Sequence, residues 1–128
     1  MNSPYTFKKE ERISSKREID FLFENGTSFI SYPLRILFCT KETCENARFS
    51  VLISVPKRKF KRAVARNRIK RLIREAYRLN KSILRTIPEE NCPGLSVGVI
   101  YVGNDMPEYK QVESAMVKAL TSIGERAS

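Results

Sequence analysis

A chain of 128 residues with 41% hydrophobic content can bury one core without staples and has no room for two ordinary domains. It carries 24 Lys and Arg against 14 Asp and Glu, a formal charge of +10, and no histidine, which removes the usual neutral-pH acid–base catalyst and the commonest metal ligand. No apolar run approaches the ~20 residues of a membrane helix, and the first 15 residues lack the apolar stretch of a signal peptide. The three cysteines, Cys39, Cys44 and Cys92, show no metal-like spacing. Reduced structural thiols in a cytoplasmic protein are expected.

Residues 1–13 read as an irregular N-terminal arm, with Phe7 and Ile13 as candidate anchors. Ser15-Lys16-Arg17-Glu18 has the form of a capping box. A short helix follows, with Ile19, Leu22 and Phe23 on one face and Phe21 about a quarter-turn away. Asn25-Gly26 is expected to end it, the glycine adopting the left-handed conformation. The period then changes to two. Leu34, Ile36 and Phe38 alternate with Arg35, Leu37 and Cys39, and Phe49, Val51, Ile53 and Val55 alternate with Ser50, Leu52 and Ser54. Residues 41–46 between these runs read as a polar hairpin loop, and residues 27–32 as a further strand set off by Pro33.

Residues 57–85 dominate the electrostatics. They hold 13 of the 24 basic residues and one acid, Glu75, for a net +12, while the other 99 residues net −2. Helical spacing over Arg62 or Ala63 to Ile87, stopped by Pro88, puts Arg66, Lys70, Arg74, Arg78, Lys81 and Arg85 on one stripe. Ile69, Ile73, Ala76, Asn80, Ile83 and Ile87 form a second stripe, with Leu72 and Leu79 beside it. An ordinary solvated face intersperses Glu at i±4, and here Glu75 is the only relief from like-charge repulsion. A concentrated field of this kind points to a polyanionic partner, nucleic acid above all.

An acidic Pro- and Gly-bearing loop leads to a last strand, Leu95 to Val102. Pro107 opens a closing helix to about residue 124, with Val112, Ala115 or Met116, Ala119 or Leu120, and Ile123 on its apolar side. The order α-βββ-α-β-α predicts a single-domain α+β sandwich over residues 1–128, one sheet with helices packed against it.

The stretch Ala63-Val64-Ala65-Arg66-Asn67-Arg68-Ile69-Lys70-Arg71-Leu72-Ile73-Arg74-Glu75-Ala76-Tyr77-Arg78 resembles the signature of the bacterial ribonuclease P protein family, roughly A-V-x-R-N-R-x-K-R-x-x-R-E-x-x-R. Upstream, Ser54-Val55-Pro56-Lys57-Arg58-Lys59-Phe60 resembles that family's strand ending in a basic run. The first helix, with Asp20, Phe23 and Gly26, resembles its D-F-x-x-V-F-x-x-G region. The resemblance covers about residues 12–123.

What the resemblance implies is a ribonuclease P subunit: a small basic protein that joins a catalytic RNA and aids endonucleolytic removal of the 5′ leader of precursor tRNA. The RNA would perform the hydrolysis with Mg2+ held mainly by its own phosphates, and the protein alone would bind no cofactor. The implied fold is an α/β sandwich with a left-handed βαβ crossover, and neither a membrane nor DNA is an implied partner. By the same resemblance Arg62, Arg66, Asn67, Arg68, Lys70, Arg71 and Arg74 fall on positions that contact the catalytic RNA. Arginine offers a planar fork to phosphate and lysine a point charge. The neutral Asn67 suits either a helix-to-loop backbone bond, the preferred reading, or a nucleotide edge. Ile19, Phe23, Leu37, Ser54, Lys57 and Arg58, with Arg62 beside them, match the cleft for the single-stranded leader, where apolar platforms and a positive groove are the usual grip. Ile19 and Phe23 at i, i+4 are equally explained as core contacts.

The sequence departs from the family pattern at three places. Ile19 stands where some members carry an aromatic, Lys61 where a glycine is common, and Gly103-Asn104-Asp105 lacks the basic residues often found there. Weaker or redistributed leader binding follows. The competing readings are a general RNA-binding or ribosomal protein, a helix-turn-helix factor and a stand-alone nuclease. The second lacks the short helix and tight turn before the basic helix; the third lacks clustered acids or His for metal or proton transfer.

Overall fold

The computed structural model describes residues 11–13, 15–41 and 48–127. The arm over residues 1–10, most of the 41–46 loop and Cys44 lie outside the described residues. The elements come in the expected order: α1 (Lys16–Asn25), β1 (Thr27–Ser31), β2 (Leu34–Lys41), β3 (Phe49–Ser54), α2 (Ala63–Asn80), a 3-10 segment (Lys81–Thr86), β4 (Gly94–Tyr101) and α3 (Tyr109–Ala127).

The four strands form one mixed sheet in the order β1-β2-β4-β3. β1 and β2 pair antiparallel, as do β2 and β4, while β3 runs parallel to β4. β2 and β3 are therefore not neighbours, and the hairpin expected between them is replaced by a connection that skips a strand. The cause lies in β4, whose residues are buried almost throughout. A strand hidden on both faces belongs at the centre of a sheet, wherever it falls in the chain.

Both faces of the sheet carry helices. Leu34, Ile36 and Phe38 of β2 face the main core with Ile69, Ile73, Ala76 and Tyr77 of α2 and Val112, Met116, Leu120 and Ile123 of α3. On the other face α1 sets Leu22 over Leu37, and Ile13 completes that smaller cluster. Burying apolar side chains at roughly 1.5–3 kcal/mol each is what holds these layers together. The free edge of β3 is covered from the N-terminal side: Arg12 bridges Val51, and the Ile13 amide donates to the Val51 carbonyl at 2.9 Å.

Three local expectations are corrected. Ser15 is the N-cap of α1, but its side chain makes no capping hydrogen bond, so the capping box does not form. Gly26 is extended, at φ −74°, rather than left-handed. Glycine is required for a different reason: a Cβ there would stand 2.4 Å from the Leu22 carbonyl oxygen. The long helix stops at Asn80 instead of reaching Ile87. The Asn80 side chain donates back to the Ala76 carbonyl at 2.8 Å, competing with the helix ladder, and the chain tightens into the 3-10 segment. That change of pitch shifts the phase of the stripes, so Lys81 turns inward next to buried Leu84. Tyr77 is fully buried and belongs to the core stripe, whereas Leu79 is exposed.

Candidate nucleic-acid interface

The interface is built on α2 and the turn before it. That turn is fastened by its own neighbours. Arg66 donates from Nη1 to the carbonyls of Phe60 (2.7 Å) and Lys61 (2.8 Å), and Lys59 donates to the Val102 carbonyl at 2.8 Å. The Phe60 ring lies against Tyr101 at 5.7 Å between centroids. Gly103 allows this packing, since a Cβ there would meet the Tyr101 hydroxyl at 2.5 Å. Arg66 thus performs the helix-to-loop fastening that the sequence assigned to Asn67. Asn67 itself is exposed, with no side-chain hydrogen bond among the described residues.

The start of α2 is electrostatically unusual. Its N-cap is Arg62, with no side-chain capping bond, and its first turn holds no acid. A helix N-terminus carries partial positive charge and unsatisfied amides, which Asp or Glu normally offset. Here cations surround it instead. Lys57, Arg58, Arg62, Arg68 and Arg71 are exposed, and Lys70 and Arg74 are half-buried beside them. This places the predicted set, apart from Arg66, on an open surface over the first three turns and the preceding loop.

The rest of the predicted basic stripe is not available in the same way. Arg78 is held by Glu75, with Nε at 3.2 Å and Nη2 at 2.5 Å from its carboxylate oxygens. That bond keeps the Glu75 carboxyl below its ordinary range and raises the Arg78 guanidinium. Lys81 leaves the stripe altogether: it is buried and bonded to Glu11 at 2.6 Å. Only Arg85 continues the exposed row. The positive field is therefore concentrated at the N-terminal end of α2.

The predicted leader residues divide. Ser54 ends β3 half-buried, and Lys57 and Arg58 follow it on the exposed turn. Phe23 is 49% exposed, an open aromatic on α1. Ile19 is half-buried against the Leu22–Leu37 cluster. Leu37 is only 3% exposed, and α1 lies over it. It is a floor for the helix rather than a contact surface, which corrects its place among the leader residues.

Sequence reasoning missed Arg48. Its guanidinium donates to the Ile87 carbonyl at 2.6 Å and the Cys92 carbonyl at 3.0 Å and lies 4.7 Å from the centre of the Phe49 ring. It fastens the loop after the 3-10 segment to the start of β3. No local signal pairs residues some forty positions apart. Among the described residues no three His, Cys, Asp or Glu side chains group so as to hold a metal ion, and no helix is long and apolar enough to cross a membrane. Burial pushes the Cys92 and Cys39 thiols up, away from the reactive thiolate.

Comparison with known proteins bears on the family and the fold. The family model for ribonuclease P matches residues 7–124. The ribonuclease P protein component of Porphyromonas gingivalis (strain ATCC 33277) is 42% identical over 125 residues, spanning 96% of this chain and 91% of that protein. The corresponding component of Clostridium botulinum (strain Langeland) is 34% identical over 118 residues, 91% of this chain and 96% of that one. In fold, the Staphylococcus aureus RNase P protein superposes with a TM-score of 0.69 at 24% identity, covering 92% of this chain and 98% of its own. The Thermotoga maritima RNase P protein gives 0.65 at 24% identity, covering 88% and 96%. With a family model matched over most of its length and a near full-length relative at 42% identity, the chain belongs to the ribonuclease P protein family.

Proposed function

We propose that this ribonuclease P protein binds the catalytic RNA of the enzyme through Arg62, Asn67, Arg68, Lys70, Arg71 and Arg74, and the 5′ leader of precursor tRNA through the surface formed by Phe23, Ser54, Lys57 and Arg58. Ile19 supports Phe23 from the edge of the small cluster, and Arg66 shapes the turn between the two surfaces. Hydrolysis of the phosphodiester belongs to the RNA in this reading, with Mg2+ held mainly by RNA phosphates. The protein's own contribution is electrostatic and positional: it screens repulsion between two polyanions and holds a single strand in place. The site of action is the cytoplasm.

One observation carries the reading. The cations at the start of α2 crowd a helix end that has neither acid nor side-chain cap, and the single acid of the 57–85 segment is engaged by Arg78. Such an arrangement costs the free protein stability and is relieved by phosphate, since helix N-termini and arginine forks are both anion sites. The test is cleavage of precursor tRNA by a bacterial ribonuclease P RNA, with and without this protein, across a magnesium series. The protein is expected to lower the magnesium required and to be inert alone. Metal-dependent cleavage by rigorously RNA-free protein would refute the assignment of the chemistry to RNA.

A further inference from the structure

The sheet face under α1 is only partly covered. The row Ser28–Leu37–Gly98–Leu52 crosses all four strands, and its Leu37 and Gly98 lie beneath Leu22 of α1. The neighbouring row is Ile30–Arg35–Ile100–Ser54, again one residue from each strand in register. This row is open: Ile30 is 62% exposed, Arg35 is exposed, and Ile100 and Ser54 are half-buried. Strands about 4.8 Å apart make it roughly 14 Å long. A four-stranded sheet face of this size takes two or three bases in other RNA-binding folds. The Arg35 Nε is held by the Ser28 hydroxyl at 3.2 Å, which leaves its two terminal nitrogens without a partner among the described residues.

The row starts at Ser54, just before the basic turn, and ends at Ile30 on β1. Ile30 also lines a groove of about 510 Å3 between β1 and α3. The groove continues along Tyr32, which is 63% exposed, and the α3 side chains Gln111, Ser114 and Lys118. Among the described residues no carboxylate lines it. An exposed aromatic, a lysine and neutral hydrogen-bonding groups are the chemistry that holds single-stranded RNA. The β1 edge is also the edge of the sheet farthest from β3 and the basic turn.

We infer that leader nucleotides distal to the cleavage site run from the Lys57–Arg58 turn along the Ile30–Arg35–Ile100–Ser54 row, cross the β1 edge and enter the β1–α3 groove, where Tyr32 stacks on a base and Lys118 meets a phosphate. This inference rests on the leader-binding reading above. It makes Tyr32 and Lys118 a second subsite, occupied only when the leader is long enough to reach it.

The experiment measures the affinity of the holoenzyme, assembled with a bacterial ribonuclease P RNA, for mature tRNA and for precursors with leaders of about four and about twelve nucleotides. The Tyr32→Ala/Lys118→Glu double variant should bind the long-leader precursor about tenfold more weakly, the scale of one lost stacked base, and the short-leader precursor as the wild type does. Both side chains are exposed, so the melting temperature should not move. Because Tyr32 lies in the β1–β2 turn, Ile30→Glu provides a second block on the same path without touching that turn, and the same leader-length dependence is expected. Equal losses for both precursors, or no loss for either, would overturn the inference while leaving the leader reading intact. A wild-type holoenzyme that does not prefer the short-leader precursor over mature tRNA would overturn the leader reading, and the second subsite with it.

Discussion

The division of the α2 cations into open and engaged groups makes a sharp prediction about salt dependence. Lys57, Arg58, Arg62, Arg68, Lys70, Arg71 and Arg74 stand open or half-open at one end of the helix, whereas Arg78 is held by Glu75 and Lys81 is buried against Glu11. If each of the five that face the catalytic RNA, Arg62, Arg68, Lys70, Arg71 and Arg74, neutralises one phosphate, log K for that RNA falls with log salt at a slope of about −3.5 to −4.5. Arg71→Ala should make that slope shallower by nearly one and weaken binding by roughly 1.5–3 kcal/mol, the range for hydrogen bonds to charged groups. Arg78→Ala should leave the slope almost unchanged, because its charge is already balanced by Glu75. The assay is filter binding or fluorescence titration of the RNA with wild type and both variants over a salt series, with thermal melts confirming the fold. Equal changes for Arg71→Ala and Arg78→Ala would refute the division, and a wild-type slope shallower than about −2 would make the whole stripe a solvated face.

Phe23→Ala should cost little stability, because the ring is already half in water, yet reduce the preference for precursor over mature tRNA; a melting temperature lowered as by the ~3–5 kcal/mol of an emptied aromatic core site would return Phe23 to the core. Leu37→Ala, by contrast, should destabilise by about 2–5 kcal/mol in denaturant titration, since its site lies under α1. Glu11→Gln removes the carboxylate charge that faces the buried Lys81 ammonium at 2.6 Å and should cost about 3 kcal/mol, with much of the loss recovered when Lys81→Met is added; an unchanged melt would show the pair to be unimportant. Glu75 has its carboxyl lowered by the Arg78 bond, so its stabilising effect is present above the ordinary glutamate range near ~4.3 and is lost as pH falls through the lowered value. The pair is exposed enough that Glu75→Gln should change neutral-pH stability by about 0.5 kcal/mol or less, which chemical melts at pH 7 and pH 3 would check.

The parts of the molecule set by local chemistry were readable from the chain. The 63–78 stretch was readable through its resemblance to a family signature, the core stripe through Ile69, Ile73 and Ala76 and the apolar side of α3 follow from spacing, and Pro33 separates β1 from β2 as expected. What was not readable depended on distant partners. Leu37 was carried onto the leader surface by the resemblance, and nothing local announces the helix that covers it. Lys81 looked like one more member of a stripe until Asn80 changed the helical pitch and Glu11, seventy residues earlier, supplied its counter-charge. Arg66 fits the family motif as an RNA contact, yet its guanidinium is used on the turn at Phe60 and Lys61. The candidate surface was thus legible as a set of residue types, while the split between contacting and supporting members emerged only with the packing.

The central position of β4 governs when the molecule can fold. β2 and β3 have no partner in each other, and the strand that joins them, Gly94–Tyr101, leaves a ribosome only after both of them and the basic helix between. Until then only the β1–β2 ribbon can form from neighbouring residues, and an isolated two-stranded ribbon is marginal in water. Nascent chains ending before Gly94 should therefore stay largely unfolded, and protection from protease should arrive in a single step once β4 is available. The basic helix, translated earlier, waits through that interval without the sheet it needs, so folding is governed by long-range pairing rather than by helix propensity.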